Sequence, residues 1–175
     1  MRHTIGGSVI MSDKSTIAHA YTPNNLPQLL SLLNREKSAV LFAGGSYILS
    51  NQNVKNIRLP QTVIFIRNID ELKRFGRTDR YIEIGSCVSL RQITETGRHI
   101  LPHILYKTLT SVGTPLVRNL ATLGGNLCAP DRRMDCFPVL QLLNANVELR
   151  RSGNSRWTGI NRLTDETGEL LLKQG

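Results

Sequence analysis

Aromatic, cysteine and acidic residues are all scarce in this sequence. Phe, Trp and Tyr make up 5% of the 175 residues. That is too few for the stacking platforms of a single-strand nucleic-acid binder. The three cysteines, Cys87, Cys128 and Cys136, form an odd and small set. They exclude a disulfide framework and fit a reducing compartment. Asp and Glu number 13 against 22 Lys and Arg, a formal charge of +9. The basic residues are spread along the chain. This reads as a solvated basic surface, or one facing acidic partners or an anionic ligand, rather than a nucleic-acid footprint. No apolar run is long enough to span a membrane. The start, "MRHTIGGSVIMSDKS", lacks the apolar core of a secretory signal. The cytoplasm is therefore the expected compartment.

Hydrophobic residues make up 40% of the chain. This suffices for one packed domain, or for two small lobes sharing a core. Residues 1–18 read as an N-terminal extension or tag-like segment, with Met11 a second candidate start. The four histidines are scattered, and Pro102 falls between His99 and His103, so no zinc site is expected. Cys128 and Cys136 stand eight apart with only Cys87 beyond them, too few thiolates for an iron–sulfur cluster of this chain's own. Small buried cysteines are the expectation. No nucleophile–base arrangement stands out. Trp157 and Tyr47 could stack on a planar ligand, although core packing is the commoner fate of a lone aromatic.

Periodicity places the elements. "YTPNNLPQLLSLLNREK" has a turn signal and then Leu26, Leu29, Leu30 and Leu33 at helical spacing, with Asn24 or Asn25 as cap. "SAVLFAGG" is a short apolar strand ending in glycines, and "TVIFI" at 62–66 is a buried strand. This opening is a βαβ-like pattern. "RYIEIGS" alternates as a strand. "SLRQITETG" is a helix with Ser89 as N-cap and Gly97 as stop. "LPHILYKTLTSVG" is a helix with Ile104, Leu105, Thr108, Leu109 and Val112 on one side. "CFPVLQLLNA" is a third, followed by the strands "NVELR" and "SRWTGI". The tail "GELLLKQG" ends on an apolar run, and a part of a larger protein is expected beyond it.

Two glycine pairs carry the chemistry. "AGGS" at 43–46 follows one apolar run, and "TLGGN" at 122–126 lies in another. Glycine lets a ligand approach the backbone, and successive turn N–H groups can form an anion-binding concavity. Ser46 and Thr122 add hydroxyl donors. Either pair alone reads as an ordinary turn; together they point to a diphosphate. Neither matches the dinucleotide fingerprint or the P-loop.

The segment "TPLVRNLATLGGNL", followed by Asp135, Pro138 and "VLQLLNANVEL", resembles the flavin domain of the molybdopterin hydroxylases, the xanthine dehydrogenase and carbon monoxide dehydrogenase family. "YTPNNLPQLLSLL", "AVLFAGGSYIL" and "IEIGSCVSLRQI" fall in the family's order and spacing, so the resemblance runs from about residue 19 to the C-terminus. It implies an α+β, two-lobed FAD-binding fold of the medium-subunit type. A small N-terminal α/β lobe (about 19–75) would be followed by a lobe of mixed α and β structure (about 76–175). It also implies FAD held by Ala43, Gly44, Gly45 and Ser46 on one side of its diphosphate and by Thr122, Gly124, Gly125 and Asn126 on the other. Asp135 would reach the ribose or ribityl hydroxyls, and Ser89 would supply the hydroxyl of the middle segment.

The implied activity is that of an oxidoreductase component not active alone on substrate. It would pass electrons from the 2Fe–2S clusters of a small subunit to an acceptor such as NAD, beside a large molybdenum-cofactor subunit. Three departures from the family stand out. Ser46 and Tyr47 replace a Thr-Asp type of pair. Pro130-Asp131-Arg132-Arg133-Met134 replaces a small loop. The chain ends where the family's C-terminal domain should begin, so an incomplete site and a homodimer of the isolated chain are expected. The rival expectation is the same fold without cofactor, serving assembly.

Overall fold

The computed structural model describes residues 3–5, 8–10, 19–50, 60–129, 135–165 and 171. The first glycine loop lies on a sheet whose heart is parallel. Strands β3 (His19–Tyr21), β4 (Val40–Phe42) and β5 (Thr62–Phe65) pair in the order β3-β5-β4, with Phe42 opposite Phe65. Val63 and Ile64 are wholly buried, as a run of β-branched residues in an internal parallel strand requires. Strands β1 (His3–Ile5) and β2 (Ser8–Ile10) extend the sheet antiparallel beyond β3. Residues 3–5 and 8–10, read from the sequence as part of an extension, thus add two strands to the sheet.

Helix α1 (Leu26–Arg35) links β3 to β4. Asn25 caps it through Oδ1, which accepts the Gln28 N–H at 3.0 Å, and Gln28 Oε1 accepts from the Asn24 N–H. These bonds satisfy donors that the first turn leaves open. Leu26 and Leu29 bury their side chains in a cluster with Ile64, Ile66, Ile69 and Cys87. Helix α2 (Ser46–Ser50) starts at once after the glycines that follow β4.

The second cluster is built by helices. They are α3 (Leu90–Thr96), α4 (His103–Ser111), α5 (Pro115–Leu120), α6 (Leu123–Leu127) and α7 (Cys136–Leu142). Leu90, Ile93, Leu105, Leu109, Leu127, Cys136 and Leu140 pack together at its centre. A hairpin of β6 (Phe75–Arg77) and β7 (Ile82–Ile84) packs against it, as does a hairpin of β8 (Asn146–Arg151) and β9 (Asn154–Gly159).

The expected caps of α3 are present. Ser89 Oγ accepts the Gln92 N–H at 3.2 Å, Gln92 Oε1 accepts the Ser89 N–H, and Gly97 ends the helix. In α4, Leu105 and Leu109 face inward as the spacing predicts, whereas Ile104 is exposed. The chain passes between clusters more than once: Leu72 belongs to the first, Phe75 packs on the second, and Cys87 returns to the first.

Candidate flavin site at the seam of two glycine segments

The first segment is shaped by the end of β4. Gly45 takes φ +69°, a left-handed conformation that favours glycine, and a side chain there would also strike the Phe42 ring. Phe42 is fixed in turn by the Phe65 ring, 5.1 Å away between centroids. Gly44 has a different reason to be glycine: a Cβ on it would be driven into the backbone carbonyl of Leu120, the last residue of α5. The first glycine segment therefore meets the stretch that leads into the second. Among the described residues the amides of Gly44, Gly45, Ser46 and Tyr47 find no backbone acceptor. They lie where β4 gives way to α2, at the carboxyl end of parallel strands, where open α/β sheets bind ligands.

The second segment departs from the turn read in the sequence. Gly124 and Gly125 lie inside the short helix α6, and neither has positive φ. The backbone N–H groups expected to face an anion are directed elsewhere. Leu123 N–H donates to Val88 O at 3.2 Å and Gly124 N–H to Ser86 O at 2.9 Å. Gly125 N–H donates to Thr122 Oγ1 at 3.1 Å, and Asn126 N–H to Thr122 O at 2.9 Å. A Cβ on Gly124 would lie 2.8 Å from Ser86 O, so close packing of α6 on the 86–88 stretch accounts for this glycine. Gly125 differs. It is exposed, and a Cβ there would touch only Thr122 Oγ1, at 3.0 Å. Nothing else among the described residues crowds that position, which leaves room for a bound group to approach the backbone.

Thr122 and Ser89 form an isolated antiparallel bridge. Both are buried, at 2% and 6% exposure, and both are N-caps, of α6 and α3. Their hydroxyl oxygens are thus engaged with the protein. Each thus holds the start of its helix in place.

Asn126 has a second role that the sequence did not reveal. Its Oδ1 accepts the Cys136 N–H at 3.2 Å, tying α6 to the start of α7. Asp135 occupies the N-cap position of α7 but makes no capping bond, and its carboxylate is exposed. It is free of the helix-capping duty such a residue usually performs.

Beside it, burial and then the Asp135 charge push the Cys136 thiol up to about 12. Cys87 and Cys136 are buried and Cys128 is exposed, all three as free thiols. Among the described residues no group of His, Cys, Asp and Glu could hold a metal ion. Tyr47 packs on the second core, while Trp157 is 63% exposed and so escapes the core role expected for it. The 130–134 loop, with its two arginines, lies outside the described residues, as does most of the tail beyond 165.

Two arginines that spacing did not single out flank the seam. Arg67 Nη2 donates to Asn119 O at 3.4 Å, and Arg91 Nη1 donates to Asn119 Oδ1 at 3.1 Å. They come from the end of β5 and from α3, so no sequence period links them.

Comparison with known proteins agrees with this geometry. Residues 15–175 match the family model described as the FAD binding domain in molybdopterin dehydrogenase. The chain is 32% identical over 149 residues to the nicotinate dehydrogenase FAD-subunit of Eubacterium barkeri, covering 83% of this chain and 49% of that one. It is 30% identical over 152 residues to the putative xanthine dehydrogenase FAD-binding subunit of Escherichia coli K12, covering 85% and 51%. The chain thus spans about half the length of these curated relatives.

Among solved structures, the fold is similar to quinoline 2-oxidoreductase from Pseudomonas putida 86, with TM-score 0.78 at 21% identity over 94% of this chain and 57% of the other. It is also similar to a carbon monoxide dehydrogenase from Hydrogenophaga pseudoflava, with TM-score 0.80 at 21% identity over the same shares. No helix among the described residues is long and apolar enough to cross a membrane. With its paired glycine segments, its two-cluster α+β fold and a family match over nearly its whole length, the chain belongs to the FAD-binding domain family of the molybdopterin dehydrogenases.

Proposed function

We propose that the FAD diphosphate lies along the seam where Gly44 meets Leu120. The observation that carries this is the union of two features there. The amides of Gly44, Gly45 and Ser46 have no backbone acceptor among the described residues, and the exposed Gly125 has only Thr122 Oγ1 against it. Donors without carbonyl partners suit phosphate oxygens, and missing side chains let the group come close. Ala43, Gly44, Gly45 and Ser46 would line one side. Gly124 and Gly125 would line the other as backbone without side chains, more than as donors.

Thr122 and Ser89 hold the starts of α6 and α3 in place beneath them. Asn126 keeps its amide NH₂ for the ligand while Oδ1 serves α7. The exposed Asp135 carboxylate would accept from a ribose or ribityl hydroxyl, as carboxylate oxygens do. When bound, the flavin supplies electron acceptance and donation, and the protein's part is to bind and orient it.

On this reading the chain is the flavin-bearing part of an electron-transfer component. Electrons would arrive from a 2Fe–2S small subunit and leave to an acceptor such as NAD, while substrate is oxidised on a molybdenum-cofactor large subunit. The FAD-subunit names of its relatives support this role. We place the protein in the cytoplasm, where its free thiols persist. We also expect the isolated chain to self-associate, since Leu116, Leu120 and Leu171 are exposed. The test is equilibrium titration of FAD into the purified protein, read by flavin fluorescence and absorption. Saturable but weak binding is expected of this chain alone, in keeping with the incomplete site read from its sequence; no binding at any FAD concentration refutes the reading.

A further inference from the structure

A diphosphate carries about two negative charges, and backbone amides alone are neutral donors, so a cation at the seam would strengthen its grip. Three arginines surround α5. Arg118 Nη1 is committed to the carbonyls of Val112 and Gly113, at 3.0 and 2.8 Å. Arg91 is paired with Glu95 at 2.6 Å and also serves the Asn119 side chain. Arg67 differs from both. It is exposed, has no carboxylate partner among the described residues, and makes one long bond, 3.4 Å from Nη2 to Asn119 O.

Its position follows from the sheet. Phe42 and Phe65 are paired in parallel register, and Ile66 N–H donates to Phe42 O at 3.1 Å. Two residues beyond that pair stand Gly44, after the end of β4, and Arg67, after the end of β5. Both then reach the end of α5, Gly44 at the Leu120 carbonyl and Arg67 at the neighbouring Asn119 carbonyl.

Resting on the FAD reading above, we infer that Arg67 is the cationic positioning residue of the diphosphate. One Nη anchors the fork on Asn119 O while its remaining donors face the phosphate oxygens beside the Gly44–Ser46 amides. The fork geometry of guanidinium suits this two-sided task.

The test uses the full-length protein with FAD, ADP and riboflavin as separate probes, followed by flavin fluorescence and, for ADP, by competition. Arg67→Gln is expected to weaken FAD and ADP binding by about tenfold or more and to flatten the salt dependence of FAD binding. Riboflavin, which has no diphosphate, should bind as to wild type. Arg67→Lys keeps the charge. It should stay within a fewfold of wild type and retain the salt dependence, and it carries the test if Arg67→Gln does not fold. Equal loss of riboflavin and FAD in Arg67→Gln, or no loss of either, overturns the inference while leaving the FAD reading intact. So does Arg67→Lys binding FAD with a flattened salt dependence. A wild-type protein that binds neither FAD nor ADP overturns both.

Discussion

Gly44 rests against the carbonyl oxygen of Leu120, with no room for even a methyl group between them. This contact joins the end of a parallel strand to the end of a helix in the other cluster, just before the second glycine segment.

Gly44→Ala tests that contact. The added Cβ meets backbone, which cannot swing aside as a side chain can. Overpacking of this kind costs about 3 kcal/mol. In a chain of this size that is a fall in Tm of roughly 6–12 °C. We expect thermal unfolding to show this drop, accompanied by loss of FAD. A variant of wild-type Tm would mean that the loop relaxes without cost.

Gly125→Val should behave in the opposite way. The position is exposed and meets only Thr122 Oγ1, so folding should survive within about 1 kcal/mol. The branched side chain, however, would stand where the proposed FAD site needs open backbone. Loss of FAD at near-wild-type Tm is the expected result. Wild-type FAD affinity would show that the ligand does not pass over α6.

Asp135→Ala separates binding from capping. Because the carboxylate makes no capping bond to α7, its removal should change stability little. Loss of one hydrogen bond to a charged group should weaken FAD binding by about 1.5–3 kcal/mol. Titration of FAD into the variant measures this. Unchanged affinity would remove Asp135 from the site.

Cys136 predicts a stability loss in alkali. Its folded thiol titrates at about 12, whereas an unfolded cysteine titrates near ~8.5. Between those values the unfolded chain has lost the proton that the folded chain keeps. Stability from this group is therefore complete below pH ~8.5 and falls by about 1.4 kcal/mol per pH unit above it. Urea unfolding of wild type and Cys136→Ala at pH 8, 9 and 10 checks it. The gap between the two should move toward the variant's favour as pH rises. A gap that stays constant would mean that the thiol is not shielded.

Local patterns in the chain carried much of this molecule. The Asn25 and Ser89 caps, the buried strand at 62–65 and the inward Leu105–Leu109 pair follow from side chains acting on their own turn or strand. The glycine pairs and the family motif were legible for the same reason: they are short, contiguous and chemically distinctive.

Tertiary structure alone decided what each glycine is for. Gly44 and Gly124 are required by backbone that arrives from elsewhere, Leu120 and Ser86, while Gly125 is left open. It also turned "TLGGN" from a turn into a helix whose amides are satisfied, two by the Ser86 and Val88 carbonyls alongside and two by Thr122. The bond from Cys136 to Asn126 and the long contact of Arg67 with Asn119 were equally hidden. Both bonds join separate elements, ten and fifty-two positions apart. No local propensity encodes such a pairing; packing of the two clusters brings the groups within reach.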